Sequence, residues 1–286
     1  MIKPDIEITS LANPKVKAVV KLRQRSHRDE NRLMIAEGYR EIKRALDHGY
    51  NPVQLFYCEE LFLKGINEPT LIERSRERGA EIISCSAPVF QKIAYRERPE
   101  GLLAVGPQPL CTLKDLKLPE HALIIVAETI EKPGNLGTIL RSADAAGACA
   151  VIVCDKCTDI YNPNVVRAST GVIFSMPVVE CSTEEGLAFL REHGFKILAA
   201  TPHADALHFQ VDLTGNVALV VGNEQFGLTD TWMNEAGLRV RIPMLGMADS
   251  LNVSAATTIL LFEAVRQRVE AGIATPPPPL PEHHDA

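Results

Sequence analysis

The chain has 286 residues, 46% of them hydrophobic and 23% charged, and a formal net charge of −6 at pH 7. Length and composition are those of a globular protein of two domains or one large one, and the acidic balance argues against a protein that coats nucleic acid generally. No apolar run reaches the roughly 20 residues that span a bilayer, and MIKPDIEITS lacks the apolar stretch of a signal peptide, so the expectation is a cytoplasmic protein without a membrane partner.

Residues 1–106 read as one smaller α/β unit. Asn13-Pro14-Lys15 opens a basic helix expected from Val16 to about Arg25. Leu33–Ala36, Gln54–Tyr57 and Ile82–Ile83 are strand candidates, with helices expected over 39–48 and 69–78. Residues 107–119 carry three prolines and little periodicity, which predicts a linker. From residue 120 strands and helices alternate again. Strands are expected over 122–127, 150–153, 196–200, 217–221 and 238–242. Helices are expected over 136–147, 163–170, 183–193, 230–236 and 252–271. Such a pattern predicts an open α/β sheet with its ligand at the C-terminal ends of the strands. Residues 273–286 read as a disordered, proline-rich tail.

Charge is unevenly spread along this frame. Residues 1–44 hold 11 Lys and Arg against 6 Asp and Glu, while residues 111–286 hold 12 against 21. A basic arm on an acidic body suits a polyanionic partner, with Lys15, Lys17 and Lys21 as the candidate contacts; a solvated helix face explains the same charges. The seven cysteines are odd in number and irregular in spacing, which disfavours a disulfide framework. Cys154 and Cys157 form a CxxC with neither a second pair nor a nearby histidine, so no metal is expected.

Three loops directly after predicted strands hold the residues suited to chemistry. In the first, Gly134 and Gly137 flank Asn135 near a helix start, and Arg141 follows six residues after Asn135. Helix-start amides and a planar guanidinium both suit a phosphate; a helix cap and a surface arginine are the plainer alternative. In the second, Gly222 and Gly227 bracket Glu224, a spacing that lacks the Gly-Lys-Ser/Thr of a nucleotide-hydrolysing loop. In the third, Pro243 ends a strand and Ser250-Leu251-Asn252-Val253-Ser254 opens the last helix. One helix cap explains one polar residue there, not three alternating with apolar ones. A further segment, Asn162 to Gly171, opens a helix whose Arg167 can meet phosphate.

Taken together, Asn135-x-Gly137-x-x-x-Arg141, Gly222-x-Glu224-x-x-Gly227-Leu228 and Ile242-Pro243-Met244-x-Gly246 followed by Ser250-Leu251-Asn252-Val253-Ser254 resemble the three motifs of the SpoU/TrmH-type RNA ribose 2′-O-methyltransferases. The resemblance spans about 120–271. Residues 1–106 resemble the L30e-like, ribosomal-protein-like substrate-binding domain of such enzymes, through Ile8–Lys17 and Ala36-Glu37-Gly38-Tyr39-Arg40. The resemblance implies an L30e-like α/β domain at 1–106 and a methyltransferase domain at 120–272 with a deep trefoil knot. It implies S-adenosylmethionine held largely by backbone groups of Gly222, Ile242 and Leu251, and a homodimer whose active site uses both chains. Arg141, Asn135, Glu224, Ser250 and Asn252 match the family's catalytic-site positions; Arg40 and Arg167 join the three lysines as expected RNA contacts. Two departures stand out. Gln225-Phe226 occupies a place where a small residue is frequent, and Asn164 one where a lysine is frequent, which removes a phosphate-binding charge.

The implied chemistry orients a ribose 2′-hydroxyl toward a sulfonium methyl. A guanidinium keeps its proton, with a pKa above about 12. Arg141 is therefore expected to hold the adjacent phosphate and the developing alkoxide, the proton passing to phosphate or water. Ribosomal RNA is favoured over transfer RNA by the first domain alone. The alternatives are a transfer-RNA 2′-O-methyltransferase, a non-catalytic RNA-binding relative and a small-molecule nucleotide-binding enzyme.

Overall fold

A computed structural model gives the conformation of residues 2–63, 66–223 and 225–278. Glu224 of the second loop and residues 279–286 of the tail lie outside the described residues.

The first half of the chain builds a mixed five-stranded sheet. In chain order it runs β1 (Ile6–Ile8), α1 (Pro14–Lys21), α2 (Arg25–Asn31), β2 (Leu33–Glu37), α3 (Tyr39–Asp47), β3 (Gln54–Tyr57), α4 (Glu68–Glu77), β4 (Glu81–Cys85), α5 (Ala87–Ile93) and β5 (Leu102–Pro107). The strand order is β1-β4-β3-β5-β2. Strand β5 runs antiparallel to both neighbours, and the other pairs are parallel. Asn13 starts α1 by accepting the Lys15 amide at 2.9 Å on its side chain, with Pro14 in the first turn.

The expected helix to Arg25 instead ends at Lys21, and a second helix follows. The cause is Arg28. Its Nη1 draws the carbonyls of Leu22 and Arg23, at 2.7 and 2.8 Å, into a turn. The sequence RSHRDEN of α2 is polar on every side, so no periodicity marks it. Arg28 anchors it: the side chain is 1% exposed and its Nε donates to Asp159 at 3.0 Å.

The second half builds a parallel seven-stranded sheet. Its elements are β6 (Leu123–Glu128), α6 (Pro133–Ala145), β7 (Ala150–Cys154), α7 (Pro163–Ala168), β8 (Val178–Cys181), α8 (Thr183–Glu192), β9 (Lys196–Ala200), β10 (Ala206–Leu207), β11 (Val217–Val221), α9 (Asp230–Glu235), β12 (Leu238–Arg241) and α10 (Val253–Glu270). The order is β10-β12-β9-β11-β6-β7-β8. Strands β6, β7 and β11 are buried throughout, as parallel strands covered on both faces must be. The chain leaves β6 toward β7 and β8, then crosses back to fill the other side. The direction of winding therefore switches between β6 and β11, where an open α/β sheet forms its ligand crevice.

One buried cluster joins the two sheets. Met34, Ile42 and Leu46 from the first half pack in it with Leu140, Val165 and Val172 from the second. Tyr50 meets Phe174 with ring centroids 4.6 Å apart, and Arg44 reaches Asp144 at 3.5 Å. The CxxC pair is split: Cys157 is exposed, while buried Cys154 lies in register with Cys181, their sulfurs 3.9 Å apart. The hydrogen bond with Cys181 and burial push the Cys154 thiol up, which disfavours its thiolate.

Candidate active site

Four segments converge at the C-terminal edge of the parallel sheet: the loop after β6 into α6, the loop after β11, the stretch after β12, and the start of α10. Glu128 closes β6 with a carboxylate at 0% exposure after five apolar residues. It accepts the Thr229 amide at 3.0 Å and its hydroxyl at 2.7 Å, which ties down the loop after β11. A Cβ on Gly222 would stand 2.5 Å from the Leu228 side chain and 3.3 Å from the Glu128 carboxylate. A side chain at 222 would therefore have to displace Leu228, so the absence of one lets this loop fold close over the strand end. Asn223 bridges to the first loop through Glu131 at 3.3 Å. Glu128 and Glu131 are missing from the expected site; a carboxylate ending an all-apolar strand is the signal that marks the former.

Asn252 joins the first and third motifs. Its Oδ1 caps α10, accepting from the Ser254 amide at 3.0 Å, the Ser254 hydroxyl at 2.6 Å and the Ala255 amide at 3.4 Å. Its Nδ2 donates to Asn135 Oδ1 at 3.1 Å. One turn and a half along, Ser142 of α6 meets Thr258 of α10 at 2.7 Å, so the two helices are zipped along one face. Asn135 and Ser142, seven residues apart, share that face.

Arg141 lies beside it, exposed, and makes no ion pair among the described residues. It falls one turn after Gly137, whose added Cβ would stand 2.5 Å from the Ala168 Cβ and 2.8 Å from the Val165 carbonyl. That close approach seats α7 against α6. Ser250 and Leu251 are exposed just ahead of the Asn252 cap.

The edge suits a ligand held by backbone groups. Residues 243–251 adopt no helix or strand, and among the described residues none of their amides or carbonyls enters a backbone hydrogen bond. Ile242 is half-buried at the start of that stretch and Gly222 half-buried opposite it. Apolar side chains of these loops are exposed, Leu245 and Met247 almost wholly, Phe226 largely and Leu251 partly, as are Ile259 and Phe262 further along α10.

The expected RNA contacts separate into two groups. Arg40 and Arg167 line one groove of about 1160 Å³ between the two sheets. Lys15, Lys17 and Lys21 stand on α1, across the first sheet. Lys15 is engaged by Glu81 at 2.6 Å, near the start of β4 and thus at the opposite end of the sheet from Arg40. Lys17 and Lys21 are exposed.

Residues 122–262 match the SpoU rRNA Methylase family, and residues 13–104 match the MRM3-like substrate binding domain. The 23S rRNA (uridine(2479)-2′-O)-methyltransferase of Streptomyces viridochromogenes is 34% identical over 247 residues, covering 84% of this chain and 85% of the relative. The 23S rRNA (guanosine(2553)-2′-O)-methyltransferase RlmP of Bacillus subtilis is 29% identical, over 90% of this chain and 98% of the relative. The AdoMet-bound rRNA methyltransferase from Sinorhizobium meliloti superposes with a TM-score of 0.83 at 34% identity, covering 91% of this chain and 98% of that one.

Proposed function

Because the chain belongs to the SpoU rRNA methylase family, we propose that it transfers a methyl group from S-adenosylmethionine to a ribose 2′-hydroxyl of ribosomal RNA. The observation that carries this is the Asn252–Asn135 bond, which closes the third motif onto the first beside Arg141. The glycine at 222 and the backbone of 243–251, which makes no main-chain hydrogen bond among the described residues, fit a cofactor held mainly by main-chain groups, with Gly222, Ile242 and Leu251 in contact. When bound, S-adenosylmethionine supplies an electrophilic methyl on a sulfonium.

The protein's own groups do the rest. Arg141 holds the phosphate next to the reacting hydroxyl and stabilises the oxygen as its negative charge grows. It stays protonated, so the hydroxyl proton leaves to phosphate or water. Asn135, held by Asn252, and Ser250 orient the ribose, and the role assigned to Glu224, which lies outside the described residues, is to fix a loop or Arg141 itself. Lys17 and Lys21 add long-range attraction for the RNA, and Arg40 and Arg167 direct contact.

The reading extends to architecture. Residues 1–106 form an L30e-like RNA-binding domain, 107–119 the linker, 120–272 the methyltransferase domain and 273–286 the tail. Insertion of β12 between β9 and β10, with α10 returning onto α6, supports a knotted C-terminal segment. The exposed apolar side chains around the site support a homodimer that covers them and completes the active site. No helix among the described residues is long and apolar enough to cross a membrane, which is compatible with action in the cytoplasm.

The test is transfer of radiolabelled methyl from S-adenosylmethionine to unmodified bacterial ribosomal and transfer RNA in separate reactions, followed by alkaline digestion. Ribosomal-RNA label in alkali-resistant dinucleotides, lost with Arg141→Ala while cofactor affinity stays within about threefold, is the expected result. Label in ordinary mononucleotides means base methylation and refutes the assignment. Label only in transfer RNA refutes the substrate. Absence of label with cofactor bound favours a silent RNA-binding relative.

A further inference from the structure

The groove between the two sheets has features that the methyl transfer does not use. Its volume of about 1160 Å³ exceeds the roughly 300–1,000 Å³ of pockets that enclose a small molecule. It runs along the surface rather than inward. One wall comes from the start of α3 and the segment after α5, the other from α7.

Among the described residues, the exposed charged side chains lining it are Arg40, Arg98 and Arg167 against Glu97. This is a cationic patch on a chain of net charge −6. Four arginines and four glutamates line the groove in all, so its positive excess is confined to the exposed side chains; Glu68 is buried. Glu41 and Glu100 both pair with Arg96, the former at 2.8 Å. Arg40 and Arg98 make no ion pair among the described residues. Tyr39 and Tyr95 supply two aromatic rings to the same wall.

Asn164 ties the walls together. Its Nδ2 donates to the Tyr95 hydroxyl at 2.9 Å, and its Oδ1 accepts from Arg167 at 3.1 Å. The residue that forgoes a lysine charge at this position thereby orients an arginine and an aromatic ring. Two buried polar atoms of the lining, Glu41 Oε2 and Arg96 Nε, have no hydrogen-bond partner among the described residues.

The groove is tied to the helix that carries Arg141. Its α7 wall is seated on α6 at Gly137, one turn before Arg141, and α3 is tied to α6 by Arg44 and Asp144. Free arginine forks select phosphates, and tyrosine faces select unstacked bases, which a duplex does not present.

We propose that this groove grips an unpaired stretch of the RNA substrate, with phosphates on Arg40, Arg98 and Arg167 and bases on Tyr39 and Tyr95. The proposal rests on the RNA-methyltransferase reading and names the form of RNA that it takes.

The experiment is fluorescence anisotropy with the full chain and a fluorescein-labelled ten-nucleotide single strand, alongside the same strand annealed to its complement. Arg40→Ala/Arg98→Ala weakens single-strand binding at least tenfold and flattens the log–log salt dependence by about 1.4, the slope of two single-strand phosphate contacts. Tyr95→Ala loses about 5- to 150-fold, the range of one base stacked on an aromatic ring, and Tyr95→Phe recovers most of it. Melting temperatures of the variants report that they are folded. Unchanged affinity in a folded double-arginine variant, equal loss for duplex, or no single-strand binding by the unaltered chain overturns the proposal. Anisotropy needs no methyl transfer. A failed methyltransferase reading therefore shows separately, as RNA that binds in the groove and gains no label.

Discussion

Asn252 separates a structural role from a functional one within a single side chain. Its carbonyl oxygen caps α10 and its amide nitrogen holds Asn135. Asn252→Ala removes both. Loss of a good cap costs about 1 kcal/mol, and loss of one exposed hydrogen bond up to about 1 kcal/mol. Together these lower stability by up to about 2 kcal/mol, at that limit a melting-temperature drop of about 4–8 °C for a chain of this size. Asn252→Ser keeps a capping oxygen and gives up only the arm to Asn135. Its stability should fall by no more than about 1 kcal/mol, whereas turnover should fall about 10- to 100-fold, the scale on which a misplaced site group acts. The assay pairs urea unfolding with single-turnover methyl transfer at saturating cofactor. A serine variant with wild-type turnover would refute the reasoning, because Asn252 would then be a cap and nothing more.

Three further substitutions probe the frame around the site. Gly137→Ala places a methyl 2.5 Å from the Ala168 Cβ and 2.8 Å from a main-chain oxygen that cannot swing aside. Overpacking of about 1–3 kcal/mol exceeds most of the about 1 kcal/mol helix-propensity gain, so urea midpoints should fall; a stabilised variant contradicts the packing. Arg28→Ala strands Asp159, 7% exposed, without its cation, a loss of about 3–5 kcal/mol that chemical denaturation resolves. Burial pushes the Glu37 carboxyl above its ordinary 4.5, against hydrogen bonds from the Tyr95 and Arg96 amides. A carboxyl raised in the folded state contributes stability that is complete below its unfolded value and lost as pH rises through the folded one. Glu37→Gln should therefore gain on wild type as pH climbs above 4.5, and parallel stability curves would refute this.

Legibility in the sequence followed the range of the interactions. Strands β6, β7 and β11 are continuous apolar runs, and the helix starts at Asn13, Asn162 and Asn252 carry their caps beside them. All of these are local signals and were readable. Helix α2 was not, because what holds it is an arginine paired with an aspartate 131 positions away. Strands β1 and β8 are three and four residues long, and each is defined by the partner strand that it pairs with. Spacing alone put Lys15 and Arg40 in one basic arm. The sheet separates them, because α1 approaches the start of β4 whereas α3 leaves the end of β2.

The residue type at position 252 is what the two roles together demand. Serine, threonine, aspartate and asparagine all start helices well. The amides of Ser254 and Ala255 can only donate, so the capping atom must be an oxygen, and whatever remains of the side chain faces α6. Aspartate would turn a second oxygen there, and serine or threonine would reach nothing. Asparagine alone of the four keeps an N–H₂ after its oxygen is used, and that group meets the Asn135 carbonyl oxygen at 3.1 Å. The orientation of Asn135 follows as well, since it must present its oxygen to Asn252. A polar residue at the mouth of an apolar helix is thus neither only a cap nor only a site residue. The helix start sets its position, and the leftover amide carries that position across to the loop beside Arg141.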